Sequence, residues 1–136
     1  MKKQILSIRT RFAQNIVAEV FFPEKQTGRV AILAIGAPSG SSKKERMKFL
    51  ASQGYVAVYP RYRGTWESDG WFLEQSPAND IRDVVLELEK KKCVTDIATG
   101  EIFSIKVNTV HLFGGSFGGP AVLLNTHLSI VKKVIA

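Results

Sequence analysis

The 136-residue sequence holds a single cysteine, Cys93, so no intrachain disulfide can form and the C-x-x-C pattern of redox and zinc sites is excluded. No run approaches the ~18 apolar residues that a membrane span requires. The N-terminal residues carry two lysines and are then broken by Ser7, Arg9 and Arg11, so no apolar signal-peptide core forms. These absences make a reducing, cytoplasmic setting the expectation. No glycine loop is followed by Gly-Lys-Ser/Thr, and GGSFGG cannot be aligned as G-x-G-x-x-G, which disfavours a nucleotide-binding fold. Histidine occurs only at positions 111 and 127, and residues 117 to 136 contain neither Asp nor Glu. No group of His, Cys and carboxylate residues has metal-ligand spacing, so neither a metal nor another cofactor is expected.

What remains is a chain with 45% apolar residues and a formal charge of +7, the composition of one globular domain over residues 1–136. Net positive charge favours contact with anions, whether nucleic acid, an acidic membrane surface or an anionic substrate. It does not choose among them. Much of the charge lies in two runs, Lys43, Lys44, Arg46 and Lys48, then Lys90, Lys91 and Lys92. Both read as solvated helix faces, and the second also suits the negative end of a helix dipole. A membrane or nucleic-acid partner is therefore not expected, and an oligomer is left open.

Along the chain, Ile5 to Phe12 and Ile16 to Phe22 have strand-like content and are separated by Ala13, Gln14 and Asn15, which predicts an antiparallel hairpin. Arg29 to Ile35 (RVAILAI), Tyr55 to Tyr59 (YVAVY) and Thr109 to Phe113 (TVHLF) are nearly continuous apolar runs, as strands covered on both faces require. Ser41 or Ser42 can cap a helix ending at Gly54. Ser76 and Pro77 start another, with Ile81, Val84, Val85 and Leu88 at helical spacing up to Lys92. Asp80 and Asp83 fall in its first turns, where negative charge suits the dipole. Cys93 to Asn108, with a turn at Thr99-Gly100, reads as a small hairpin insertion, and Cys93 as an inert thiol. A short helix from Phe117 or Pro120 to about Thr126 precedes a last strand from Val131 to Ala136. The class is α/β: a mostly parallel sheet with helices on both faces and an N-terminal antiparallel hairpin. In such sheets ligands bind at the carboxyl ends of the strands, where the Gly36 loop, the Tyr62 to Phe72 loop and the Ser116 turn should meet.

Gly114-Gly115-Ser116-Phe117-Gly118 matches G-x-S-x-G between a predicted strand and a predicted helix. A serine in so tight a turn sits in a strained conformation, and the small residues Gly114, Gly115, Gly118 and Gly119 let strand and helix approach. The turn leaves the Phe117 N–H free to face the oxygen of a tetrahedral intermediate. The competing reading is a glycine-rich turn with an incidental serine. Trp66, Trp71 and Phe72, in the loop after Tyr59, either line an apolar substrate pocket or pack the loop onto the domain. Glu67 and Asp69 of that loop are expected to form it or to pair with Arg61 or Arg63.

Three passages, IGAPSG, YPRYRGTWESDGWF and HLFGGSFGG, resemble the α/β-hydrolase superfamily, in particular its dienelactone hydrolase-like and prolyl oligopeptidase-like branches, over about Gly28 to Ala136. The resemblance implies a serine hydrolase with Ser116 as nucleophile and Phe117 as one oxyanion donor. It implies a second donor from Gly36 or Ala37. Many relatives have His-Gly-Gly-Pro in that loop, and some peptidases a tyrosine; Ile35-Gly36-Ala37-Pro38 implies a backbone donor here.

The family orders its triad as Ser, then Asp or Glu, then His, an order that residues 117 to 136 cannot complete. His127, reached mostly along one helix, is expected ~16 Å from Ser116. His111 lies within the strand, below its carboxyl end. A general base must be within about 3 Å of the serine, or one water away, so neither serves. The expectation is a C-terminally truncated, incomplete α/β-hydrolase fold, inactive as this fragment, whose parent cleaves an ester, thioester or peptide bond of a small-molecule or peptide acyl substrate. The alternative is a non-catalytic binding module that uses its basic surface to hold an anionic partner.

Overall fold

The structure, a computed structural model, describes residues 5–34 and 43–136. A hairpin opens the chain: β1 (Ser7–Phe12) and β2 (Ile16–Phe21) pair antiparallel with Phe12 opposite Ile16. The three residues between them turn through left-handed backbone at Ala13 (φ 46°) and Gln14 (φ 66°). β1 buries every second residue, Ile8, Thr10 and Phe12, and turns Arg9 and Arg11 outward. That alternation marks an outer strand covered on one face.

β3 (Arg29–Ala34), α1 (Lys44–Ser52), β4 (Val56–Pro60), α2 (Pro77–Lys91), β7 (Thr109–Gly114), α3 (Gly118–Leu123) and β8 (Val131–Ile135) follow, with the small hairpin of β5 (Cys93–Thr95) and β6 (Ile102–Ser104) inserted before β7. The main sheet has the order β1-β2-β4-β3-β7-β8. β4, β3, β7 and β8 are mutually parallel, and β2 joins β4 antiparallel. β4 is buried along its whole length and β3 along all but Arg29, as central strands covered on both faces must be. The chain crosses from β3 to β4 in one direction and from β4 back over β3 to β7 in the other. Right-handed connections then place α1 and α2 on opposite faces. α3 packs on β7, β3 and β8 and against α2.

α2 begins as expected, with the Ser76 hydroxyl accepting from the Ala78 N–H (3.2 Å) and Pro77 in the first turn, and it ends at Lys92 in the left-handed conformation. α1 begins at Lys44, and its cap position is Lys43, which offers no side-chain acceptor. The expected caps, Ser41 and Ser42, lie outside the described residues. α3 is shorter than the sequence suggests, because residues 124–127 form turns rather than a further helical turn. Among the described residues no helix is long and apolar enough to cross a membrane.

Candidate active site

Ser116 follows the carboxyl end of β7 and immediately precedes the short helix α3, and its backbone has φ 52°. For a non-glycine residue this left-handed conformation costs ~1–2 kcal/mol. Strain of that kind persists where the surrounding structure enforces it. The enforcement is visible at Gly114: a Cβ there would stand 2.5 Å from the Gly118 carbonyl oxygen and 2.9 Å from Val122 Cγ2. β7 and α3 therefore touch backbone to backbone, and the chain between them must turn sharply. Gly115 is different, with nothing within 4 Å of its absent Cβ, and Gly119 meets only Ala136 at 4.0 Å. The room the turn needs is thus supplied at Gly114 and not at Gly115 or Gly119. The Gly118 N–H donates to the Gly115 carbonyl (2.9 Å) and the Gly119 N–H to that of Ser116 (3.1 Å), closing the turn. Among the described residues the Phe117 N–H donates to no backbone acceptor.

Ser116 is exposed and lies on the wall of a cavity of about 640 Å³. The carboxyl ends of β3 and β7 form its floor through Leu33, Ala34, Phe113 and Gly114, and α1 closes one side with Leu50, Phe49, Arg46 and Lys43. Ala34 pairs with Gly114, so the last residue of β3 abuts the turn that carries Ser116. The connection after β3 leads toward β4 and the connection after β7 leads toward β8, in opposite directions across the sheet. A crevice between two adjacent parallel strands whose connections diverge is where open α/β sheets bind ligands. Gly36 and Ala37, the expected second oxyanion donors, lie outside the described residues.

Trp66, Trp71 and Phe72 do not line this cavity. Trp66 and Trp71 are 57% and 78% exposed, and Arg61 stacks over Trp66 at 4.3 Å. Phe72 is half-buried and packs its ring against Phe117, with centroids 5.9 Å apart. Tyr62, which is fully buried, meets the same Phe117 ring edge-on at 5.5 Å. Burial raises the Tyr62 pKa far above its ordinary value, so the hydroxyl stays protonated.

The charged residues of the loop find partners other than those expected. Glu67 pairs with Arg9 and Asp69 with Arg11 (2.7 Å), on the outward face of β1, and not with Arg61 or Arg63. Arg61 instead approaches Glu19 at 3.6 Å. Asp80 and Asp83 do more than complement the α2 dipole: Arg63 bonds the Asp80 carboxylate and reaches Asp83 at 2.7 Å, while its own N–H donates to Asp80 at 2.9 Å.

His111 is buried in β7 opposite Ala31, five residues before Ser116 and so about 16 Å back along an extended strand. One ring nitrogen is 3.2 Å from the Thr109 hydroxyl, and the ring stands edge-on to Tyr55. Burial lowers its pKa, and the positive charges of Arg29, Lys133 and Lys132 lower it further. It is a buried residue in the middle of the strand, remote from Ser116. His127 is exposed beyond the end of α3, so the approach to it runs along a helix only as far as Leu123. Among the described residues the cavity wall contains no imidazole and no carboxylate, and no group of three or more His, Cys, Asp or Glu side chains could hold a metal ion.

Solved structures share this architecture. An acylaminoacyl peptidase of Pyrococcus horikoshii superposes over 96% of the chain with a TM-score of 0.66 at 20% identity, and an esterase of Pyrococcus furiosus over 96% with a TM-score of 0.69 at 13% identity. The fold is that of the α/β-hydrolases. A predicted CIB-like hydrolase of Thermoplasma acidophilum matches in the same way, with a TM-score of 0.64 over 96% of the chain at 18% identity. The chain spans 22% of the peptidase, 47% of the esterase and 61% of the CIB-like hydrolase, so it corresponds to part of each α/β-hydrolase chain. No family model matches the chain, and no curated protein is similar to it in sequence.

Proposed function

We propose that Ser116 is the nucleophile of an acyl hydrolase that cleaves an ester, thioester or peptide bond. The observation that carries this reading is the left-handed backbone of an exposed serine, wedged between β7 and α3 at the mouth of the crevice beside β3. Ser116 Oγ forms a bond to the acyl carbon as its proton passes to a base. The bond to the leaving group then breaks as that group takes the proton, and water releases the acyl group. The Phe117 N–H, with Gly36 or Ala37, stabilises the oxyanion. The apolar floor of the cavity suits an apolar acyl group. The acid and base come from residues outside these 136, because neither histidine is placed to act.

A fluorophosphonate probe tests this. In the protein that supplies acid and base, Ser116 should be labelled and the Ser116→Ala variant should not. The 136-residue chain alone should retain only the residual ~10³ to 10⁴-fold advantage over water that an oxyanion hole and binding provide. Absence of Ser116 labelling in the complete, folded protein would overturn the proposal and favour a non-catalytic module that holds an anionic partner at Lys43 and Arg46.

A further inference from the structure

Arg63 follows Tyr62 in the loop after β4, and its guanidinium is gripped by two carboxylates of the first turns of α2. Its side chain is 11% exposed, that of Asp80 5% and that of Asp83 24%. Asp80 also accepts from the Arg63 backbone N–H at 2.9 Å, so the carboxylate fixes both the main chain and the side chain of the loop at one residue. A buried ion cluster is no better for stability than well-packed apolar side chains of the same volume. This one also keeps the Arg63 Nε buried without a hydrogen-bond partner. Burial raises the Asp80 pKa even against the opposing bonds from Arg63. The contacts fix the loop at Arg63 against the start of α2.

The loop they fix leads to the elbow. Tyr62, the residue before Arg63, packs edge-on against Phe117 at 5.5 Å, and Phe72 closes on the same ring at 5.9 Å. The loop between them is tight: a Cβ on Gly64 would stand 2.1 Å from the Phe72 nitrogen. Moving Arg63 therefore moves Phe72 as well as Tyr62. The same first turn of α2 also holds the far end of α3, because the buried Asn125 side chain donates to the Ala78 carbonyl (2.9 Å) and to the Ala121 carbonyl (2.8 Å). The start of α2 thus braces α3 at both ends, through Arg63 and the two rings at Phe117 and through Asn125 at its close.

We propose that Arg63, held by Asp80 and Asp83, is a positioning residue that fixes the Phe117 amide by clamping Tyr62 and Phe72 onto the Phe117 ring. The proposal rests on reading that amide as an oxyanion donor. Lysine cannot replace the arginine, because a point charge cannot engage two carboxylates with the planar fork of a guanidinium.

The test compares Asp83→Asn, which leaves the Asp80 pair in place, and Arg63→Gln with the unaltered 136-residue chain. Leu88→Ala, a core truncation in the distal half of α2, serves as a destabilised control. Nuclear magnetic resonance reads the Phe117 amide and ring signals, which feel the ring currents of Tyr62 and Phe72. Both signals should shift in the two clamp variants and not in the control. An alkylboronic acid supplies the second readout. Ser116 Oγ bonds to boron, the hydroxyl proton leaves to solvent, and the tetrahedral anion presents an oxygen to the Phe117 amide. Its affinity should fall roughly ten- to a hundredfold in the clamp variants. Unmoved Phe117 signals in the folded Asp83→Asn chain, or equal shifts in Leu88→Ala, would overturn the positioning role. Shifted signals with no Ser116 adduct even in the protein that supplies acid and base would leave the clamp standing and sink the nucleophile instead.

Discussion

Two adjacent glycines of the elbow should respond in opposite directions to the same substitution. In Gly114→Ala the new methyl would stand 2.5 Å from the Gly118 carbonyl oxygen, against the ~3.3–3.6 Å of an ordinary carbon to oxygen contact. The shortfall of nearly 1 Å is between two backbone segments, so no flexible side chain can absorb it, and Val122 Cγ2 at 2.9 Å blocks a sideways escape. Overpacking of this kind costs ~1–3 kcal/mol, and the backbone contact puts this case at the upper end. At about 4 °C per kcal/mol for a domain of this size, the midpoint should drop by about 8–12 °C. Gly115→Ala places its methyl in open space, with no atom within 4 Å and no positive φ to oppose it. It should leave stability unchanged or raise it by ~0.4–1 kcal/mol through the loss of chain freedom when unfolded. Thermal and chemical denaturation followed by circular dichroism measure both. A Gly114→Ala chain as stable as the original, or a Gly115→Ala chain that falls equally, would refute the close approach of β7 to α3 and with it the enforced turn at Ser116.

Two further outcomes follow from the same region. Ser116→Gly should match the original in stability within about 1 kcal/mol, relief of the left-handed strain offsetting glycine's greater freedom when unfolded, whereas Ser116→Val should lose ~1–3 kcal/mol because a branched side chain tolerates that backbone poorly; equal losses in a urea titration would contradict the φ at this position. His111 has a lowered pKa in the folded chain, so on acidification the unfolded state binds the proton first and stability falls as the pH drops below the ordinary histidine value of 6.5. In His111→Gln that part of the pH dependence, which sets in below about pH 7, should disappear, and its persistence would assign the effect to another group.

The strands of the sheet centre were legible because burial on both faces leaves an apolar run that needs no periodicity to recognise. The hairpin, the Ser76-Pro77 helix start and the β5–β6 insertion were legible from turn and cap chemistry acting over a few residues. The sharp turn at Ser116 was legible for the same reason, since its motif is local. The ion pairs were not: Arg9 finds Glu67 and Arg11 finds Asp69 across 58 positions, and nothing in the composition of either segment encodes its partner. For Asp80 and Asp83 a partial signal existed, because residues three apart on a helix share a face and can share one cation. Which arginine would reach them depended on the path of the loop after β4. The cavity wall was missed in the same way. Aromatic residues in a loop suggested a pocket, but the wall comes from α1 and the ends of β3 and β7, which only the order of the strands brings together.

That order also gives the serine motif a place to act that the motif alone cannot supply. The same five residues at the end of β4 would meet a different surrounding, because the connection from β4 runs back past β3 to β7. At the end of β7 the connection leads toward β8, while that of β3 leads toward β4, so the two connections diverge at the crevice between the strand ends. Ser116 stands beside that space, and Ala34, opposite Gly114, lines it too. An incidental serine in a glycine-rich turn has no reason to combine left-handed backbone, exposure and the one crevice created by diverging connections. Their coincidence at one residue, rather than the pentapeptide, is what supports the proposed nucleophile over a tight turn with an incidental serine.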